Sequence, residues 1–221
     1  MNWDYAYDFL LSRGTWISFG IFILGLIVRC IYLYGVSLER DRIVYNHVKW
    51  SWAIRSILFW LIPLGSRSWR QQPLFSIAVF VFHVTFIFVP LFLSAHNVLW
   101  ESAWGVSLWS MNDKLADTLT IAFMVSALVL LWRRIAKPEV RFLSTWWDYV
   151  LLILCALPFV TGFLAYHQIG PYKPTMVVHL LSAEILLIVI PFSKLAHMVL
   201  YFFTRAFMGF EMGGRRNTPC W

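Results

Sequence analysis

Five stretches of this chain are apolar around most of their circumference, and polar or turn-forming residues separate them. They run roughly over 15–36, 74–98, 115–132, 148–166 and 175–203. Each is close to the ~20 residues that cross a hydrocarbon core, and a stretch apolar on all sides belongs in lipid. Breakers punctuate the gaps: Pro63, Gly65 and Pro73 before the second stretch, Pro138 before the fourth, Gly170, Pro171 and Pro174 before the fifth. The predicted fold class is an all-α membrane protein, a five-transmembrane-helix bundle forming a single membrane domain over 1–221. From Val48 to Leu64, Lys49 and Arg55 interleave with Trp50, Trp52, Ile57, Leu58, Phe59 and Trp60. That pattern predicts a helix lying along the inner leaflet, with a short re-entrant segment as the alternative. No internal repeat or low-complexity segment is visible.

Composition sharpens the class. Hydrophobic residues make up 60% of the chain and charged residues only 13%, against about 25% charged in soluble domains. Many of the thirteen tryptophans sit near span ends: Trp50, Trp52, Trp100, Trp104, Trp146 and Trp147 suit an interfacial belt. The net charge of +7 follows topology rather than a nucleic-acid footprint. Thirteen basic residues lie in the segments 37–73, 133–147 and after 203, and three (Arg13, Lys114, Lys173) lie in the other loops. By the positive-inside rule the N-terminus is outside and the C-terminus cytoplasmic. Asp4 and Asp8 precede the first basic residue, the wrong charge for a signal peptide's start, so the first span is expected to be retained. The three cysteines form neither CxxC nor CxxCH. That speaks against covalent haem attachment and a self-contained iron–sulphur site.

Four of the six histidines fall inside spans: His83 and His96 in the second, His179 and His197 in the fifth. An ionisable side chain in hydrocarbon is a functional candidate, although a lone one serves equally as an interhelical hydrogen bond. His179 and His197 are 18 residues apart, which on a continuous helix is five full turns and about 27 Å of rise. Both would share one face, one near each membrane surface. The second span runs antiparallel to the fifth, so His83 should be level with His197 on the inner side and His96 with His179 on the outer side. A bis-imidazole pair on facing helices suits a haem iron; structural zinc would want four protein ligands. The interval from His83 to His96 fits poorly, because 13 residues rotate a helix by about 220°. Pro90 lies between them and is expected to kink the helix.

The fifth span, HLLSAEILLIVIPFSKLAH, resembles the gamma subunit of membrane-bound respiratory nitrate reductase. The matching elements are His179–Leu180, Pro191 to Leu195, His197 and the interval between the histidines. The five-span architecture, the outward N-terminus and Phe82–His83 are similar too. The segment FHVTFIFVPLFLSAHNVLW is closer to the cytochrome b subunits of transmembrane redox complexes of sulfate-reducing bacteria. This resemblance implies two b haems in a bacterial inner membrane protein. It implies menaquinone or menaquinol exchange near the outer haem and a heterodisulfide-reductase-like iron–sulphur subunit at the cytoplasmic face. It also implies a multihaem cytochrome c outside. The basic inner face, including Arg215 and Arg216, would then complement a partner, unless its charge serves topology alone.

Four further residues have two readings each. Glu184, about 140° from His179's face, either moves quinone protons or bonds a neighbouring helix. Lys114 either binds a quinone carbonyl or snorkels. His167 either takes a quinol proton or is an ordinary loop histidine. Lys194, three residues before His197, either meets a haem propionate or reaches lipid headgroups. The resulting expectation is a dihaem cytochrome b subunit that passes electrons between quinone and an iron–sulphur partner. The rival is a proton-coupled transporter without haem, which would more often show repeats or helices broken near the midplane.

Overall fold

A computed structural model describes residues 3–221, and no strand occurs among them. Five helical segments are long and apolar enough to cross a membrane: Trp3–Arg40, Pro73–Phe92, Asp113–Ala136, Trp146–Tyr166 and Tyr172–Phe192. Contacts divide the chain into two compact units. One holds the residues up to Pro73 together with Leu180–Trp221, and the other holds Leu74–His179.

The first unit opens with α1 (Trp3–Phe9), a π-helical turn (Leu10–Gly14) and α2 (Thr15–Arg40). A 3-10 turn (Arg42–His47) leads to α3 (Trp50–Leu61), the helix expected between 48 and 64, and then to the short α4 (Arg67–Arg70). The chain's C-terminal part packs on α3. A Cβ on Gly209 would come within 2.6 Å of the Ala53 Cα, and one on Gly213 within 2.2 Å of the Trp52 ring. Only glycine permits so close an approach at these two positions. The Arg205 guanidinium donates to Ser56 Oγ and to the Cys220 carbonyl. Trp60 Nε1 donates to that same carbonyl at 2.9 Å, and Trp221 stacks on Phe59 at 4.9 Å between centroids.

The second unit comprises α5 (Pro73–Phe92) from Leu74 onward, α6 (Ser94–Trp104), α7 (Asp113–Ala136), α8 (Pro138–Leu143), α9 (Trp146–Tyr166) and the start of α10 (Tyr172–Phe192). Phenylalanines fill its core: the Phe123 ring lies 3.8 Å from Phe159 and 4.8 Å from Phe82. Side chains define the helix starts. Asn112 Oδ1 accepts from Leu115 N at the head of α7, and Thr145 with Asp148 forms a capping box for α9.

Two expected spans end early. The stretch 74–98 is two helices, because Leu93 is extended and α5 stops at Phe92. The stretch 175–203 is also two, because Ser193 is extended (φ −124°, ψ −174°). After Ser193 a 3-10 turn (Lys194–Ala196) leads into α11 (His197–Met208). Proline weakens both places, since Pro90 and Pro191 each remove a helical N–H and crowd the preceding turn, but Pro158 is carried inside the unbroken α9, so proline alone does not end a helix. Ser193 then caps the new start by accepting from Leu195 N at 3.1 Å. Helical phase is lost at Ser193, so His179 and His197 do not share the face of one continuous helix. The 220° mismatch expected between His83 and His96 lapses for the same reason at Leu93.

Candidate functional site

The second unit brings His96 and His179 together. Their rings are nearly parallel, 22° apart, with centroids separated by 6.2 Å. His96 sits on α6, where the chain has restarted after Leu93; its Nδ1–H donates to the Pro90 carbonyl at 2.8 Å. The loop after α6 is folded over by its neighbour. Asn97 is buried; its Nδ2 donates to Ser110 Oγ at 2.9 Å and its Oδ1 accepts from Leu108 N at 3.0 Å. Gly105, at φ +66°, supplies the left-handed residue that closes α6.

His179 is held from α9. Its Nδ1–H donates to the Pro158 carbonyl at 2.9 Å, and Thr161 Oγ1 lies 3.4 Å from the same nitrogen. Gly162 makes room for the ring, since a Cβ there would lie 3.0 Å from His179 Cε1. Each imidazole of the pair thus gives its Nδ1 proton to a backbone carbonyl, and in the neutral ring the lone pair is on Nε2. Metal-bound histidines are fixed in this way by an outer-shell acceptor.

The separation suits a shared metal. With a metal–imidazole bond of about 2.0–2.1 Å, two rings sharing one metal would have their centres at most about 6 Å apart. Among the described residues no group of three or more His, Cys, Asp or Glu side chains could hold a metal, but a haem iron takes only two axial protein ligands. The pair and the Gly162 cradle therefore fit a bis-histidine haem.

His83 and His197 repeat the pattern separately. His83 Nδ1–H donates to the Val79 carbonyl at 2.8 Å in the second unit. His197 Nδ1–H donates to the Lys194 carbonyl at 2.8 Å in the first.

A polar cluster lies at the end of the second unit where α7 begins and α9 finishes. His167 Nε2 is 3.0 Å from Asp117 Oδ1, each side chain 34% exposed. Lys114 is three residues before Asp117, on the same side of α7. Glu184 belongs to the first unit, where it is buried. There Thr15 Oγ1 donates to its Oε1 at 3.5 Å, and Gly14 leaves the space that its carboxylate fills, at 2.7 Å from where a Cβ would stand. Lys194 lies in the 3-10 turn just before His197.

Asn97, Asp117, Thr161 and Gly162 were not among the expected residues. A glycine four residues after Pro158 inside an apolar span was a usable signal, because glycine in a membrane helix marks close approach. Asn97 and Asp117 gave none, since polar residues beside loops are common.

Fold and geometry together define an all-helical, multi-pass membrane protein with a paired-histidine site. The sequence is 41% identical over 215 residues to a protein of Nitratidesulfovibrio vulgaris (strain Hildenborough) described only as "Protein". The alignment covers 96% of this chain and 95% of that one, and the chain belongs to that protein's family. No family model matches the sequence, and no solved structure matches it.

Proposed function

We propose that this protein is a dihaem cytochrome b subunit of a respiratory complex in a bacterial inner membrane. It passes electrons between menaquinone and a cytoplasmic iron–sulphur subunit, with a multihaem cytochrome c as a partner outside. The observation that carries this reading is the His96–His179 pair: near-parallel rings at 6.2 Å, each anchored through Nδ1. His96 and His179 hold one b haem, and His83 with His197 the other. Haem held by two histidines would supply one-electron transfer.

The chain's residues set the rest. The Pro90 and Pro158 carbonyls fix ring orientation and tautomer at the first pair. His167, paired with Asp117 at 3.0 Å, would take a proton from a quinol and share it with that carboxylate. Lys114 offers a cation to a quinone carbonyl from the same end of α7. Glu184, with Thr15 beside it, is a second candidate for proton movement. The N-terminus lies outside and the C-terminus in the cytoplasm, as the distribution of basic loops argues. Both chain breaks fall after a full-length span, at Leu93 and Ser193, rather than near the midplane where discontinuous transporter helices are interrupted. That favours the electron-transfer reading over a haem-free transporter.

Haem quantitation and a reduced-minus-oxidised spectrum of the purified protein test the proposal. Two b-type haems per chain are expected, and a colourless protein refutes it.

A further inference from the structure

The first unit contains a cavity of about 260 Å³ where α2 and α11 meet the break after α10. Arg29, Ser193, Lys194, His197, Tyr201 and Thr204 line it. Two of these are permanent cations, and the full lining includes no Asp or Glu. Arg29 belongs to the first membrane-spanning segment, eleven residues before its end at Arg40, or about 16 Å along the helix. Its Nε is buried and has no hydrogen-bond partner. A buried guanidinium nitrogen without a partner is costly unless an anion meets it. The Thr204 hydroxyl donates to the Leu200 carbonyl and the Tyr201 hydroxyl to the Ile57 carbonyl. The unanswered donor facing an incoming group is therefore that of Arg29.

We propose that this cavity binds the phosphate of an anionic phospholipid. The surroundings select a lipid over a free anion. Val28, Ile31 and Tyr32 flank Arg29 at 64–66% exposure, and Phe192, next to Ser193, is 69% exposed. An anion seated there would have to bring its own apolar chains. The volume is below the roughly 300–1,000 Å³ of drug-sized sites and suits a headgroup rather than a whole ligand. Planar guanidinium donors pair well with phosphate oxygens. This inference does not depend on iron at His197.

The test uses purified protein stripped of lipid in detergent, then equilibrated with phosphatidylglycerol or with phosphatidylcholine of the same acyl chains. Bound lipid is counted by native mass spectrometry. Wild type should retain phosphatidylglycerol in clear preference to phosphatidylcholine. Arg29→Gln should lower phosphatidylglycerol retention roughly fivefold and leave phosphatidylcholine unchanged. Arg29→Lys, which keeps the charge, should recover most of the loss and exclude misfolding as the cause. Equal retention of the two lipids by wild type, or unchanged phosphatidylglycerol in Arg29→Gln, overturns the proposal. If Arg29→Gln leaves lipid intact but lowers haem content or shifts a haem spectrum, the anion is a carboxylate of the cofactor and the lipid assignment falls. A wild-type protein that retains phosphatidylglycerol but contains no haem defeats the electron-transfer reading and leaves this one standing.

Discussion

Gly162 gives the most direct test of the His96–His179 site, because its effect must pass through the imidazole. A methyl group at 162 would sit 3.0 Å from His179 Cε1 and 3.1 Å from Nδ1, where ordinary contact begins at 3.4 Å. The ring must therefore retreat by about 0.4 Å, which stretches its 2.9 Å bond to the Pro158 carbonyl toward the limit of hydrogen bonding. Losing that bond costs about 1 kcal/mol, or roughly fivefold in retention of whatever Nε2 binds. Gly162→Ala should keep the fold, because Ala favours the helix by about 1 kcal/mol over Gly, and should weaken one haem. Gly162→Leu should abolish it, since no small retreat accommodates a branched side chain. The assay is haem content with resolved redox titration of the two b-type signals. If Gly162→Leu keeps both haems at unchanged potentials, His179 is not a ligand and the site has been misread.

Three further outcomes are expected. His96→Ala and His179→Ala should each remove the same one of two haems, and pyridine haemochrome quantitation showing two per chain in either variant rejects the pairing. Trp221→Ala removes two ring contacts, with Phe59 and Trp52, worth about 1 kcal/mol each; it should speed proteolysis of the C-terminal segment while haem content holds. Burial raises the Glu211 carboxyl, but hydrogen bonds and charge from Arg215 and Arg216 outweigh it and hold the group below its ordinary value. The pairing is thus fully present above the unfolded Glu value near ~4.3 and is lost as pH falls through the lower folded value. C-terminal protection from an acid-stable protease should drop over that window in wild type and lose the dependence in Glu211→Gln.

The five spans were legible because lipid imposes a rule that composition alone reveals: the backbone must bond to itself and the side chains must be apolar all round. Helix ends obey subtler rules. Pro90 announced a disturbance, while Pro191 lies inside a stretch whose apolar pattern reads as one continuous helix; a proline inside a membrane helix is tolerated in one context, as Pro158 is in α9, and lies just before a break in another. What decided the outcome at Ser193 was a cap bond to Leu195 that no pattern announces. Arg215 and Arg216 read as charges on offer to a partner, and no sequence signal indicated that both pair with the single Glu211, at 3.2 and 2.7 Å. Cys220 and Trp221 carried no pattern at all. Their role in fastening the C-terminus to α3 arises from contacts more than 150 residues apart in sequence.

His83 and His179 lie within the membrane-crossing segments, and His96 and His197 lie just past the breaks that end them, so the hydrogen bonds of all four bear on what their rings are held to do. The ordinary explanation for a histidine within a membrane helix is a hydrogen bond that joins it to a neighbouring helix. Such a bond should run to a distant part of the chain. The Nδ1 bond of His83 runs to Val79, that of His96 to Pro90 and that of His197 to Lys194. These acceptors are four, six and three residues upstream: the His83 bond stays within α5, the His96 bond ties α6 back to α5 across the Leu93 break, and the His197 bond ties α11 to the turn before it. The His179 bond to Pro158 reaches farther, from α10 to α9. What the four bonds have in common is their consequence: every ring is fixed in orientation, and every Nδ1 proton is committed to a carbonyl. In each neutral ring this puts the lone pair on the nitrogen farthest from the backbone. Nε2 is thereby the nitrogen each neutral ring could offer to a metal, which is the arrangement that the proposed haem ligation requires at all four positions.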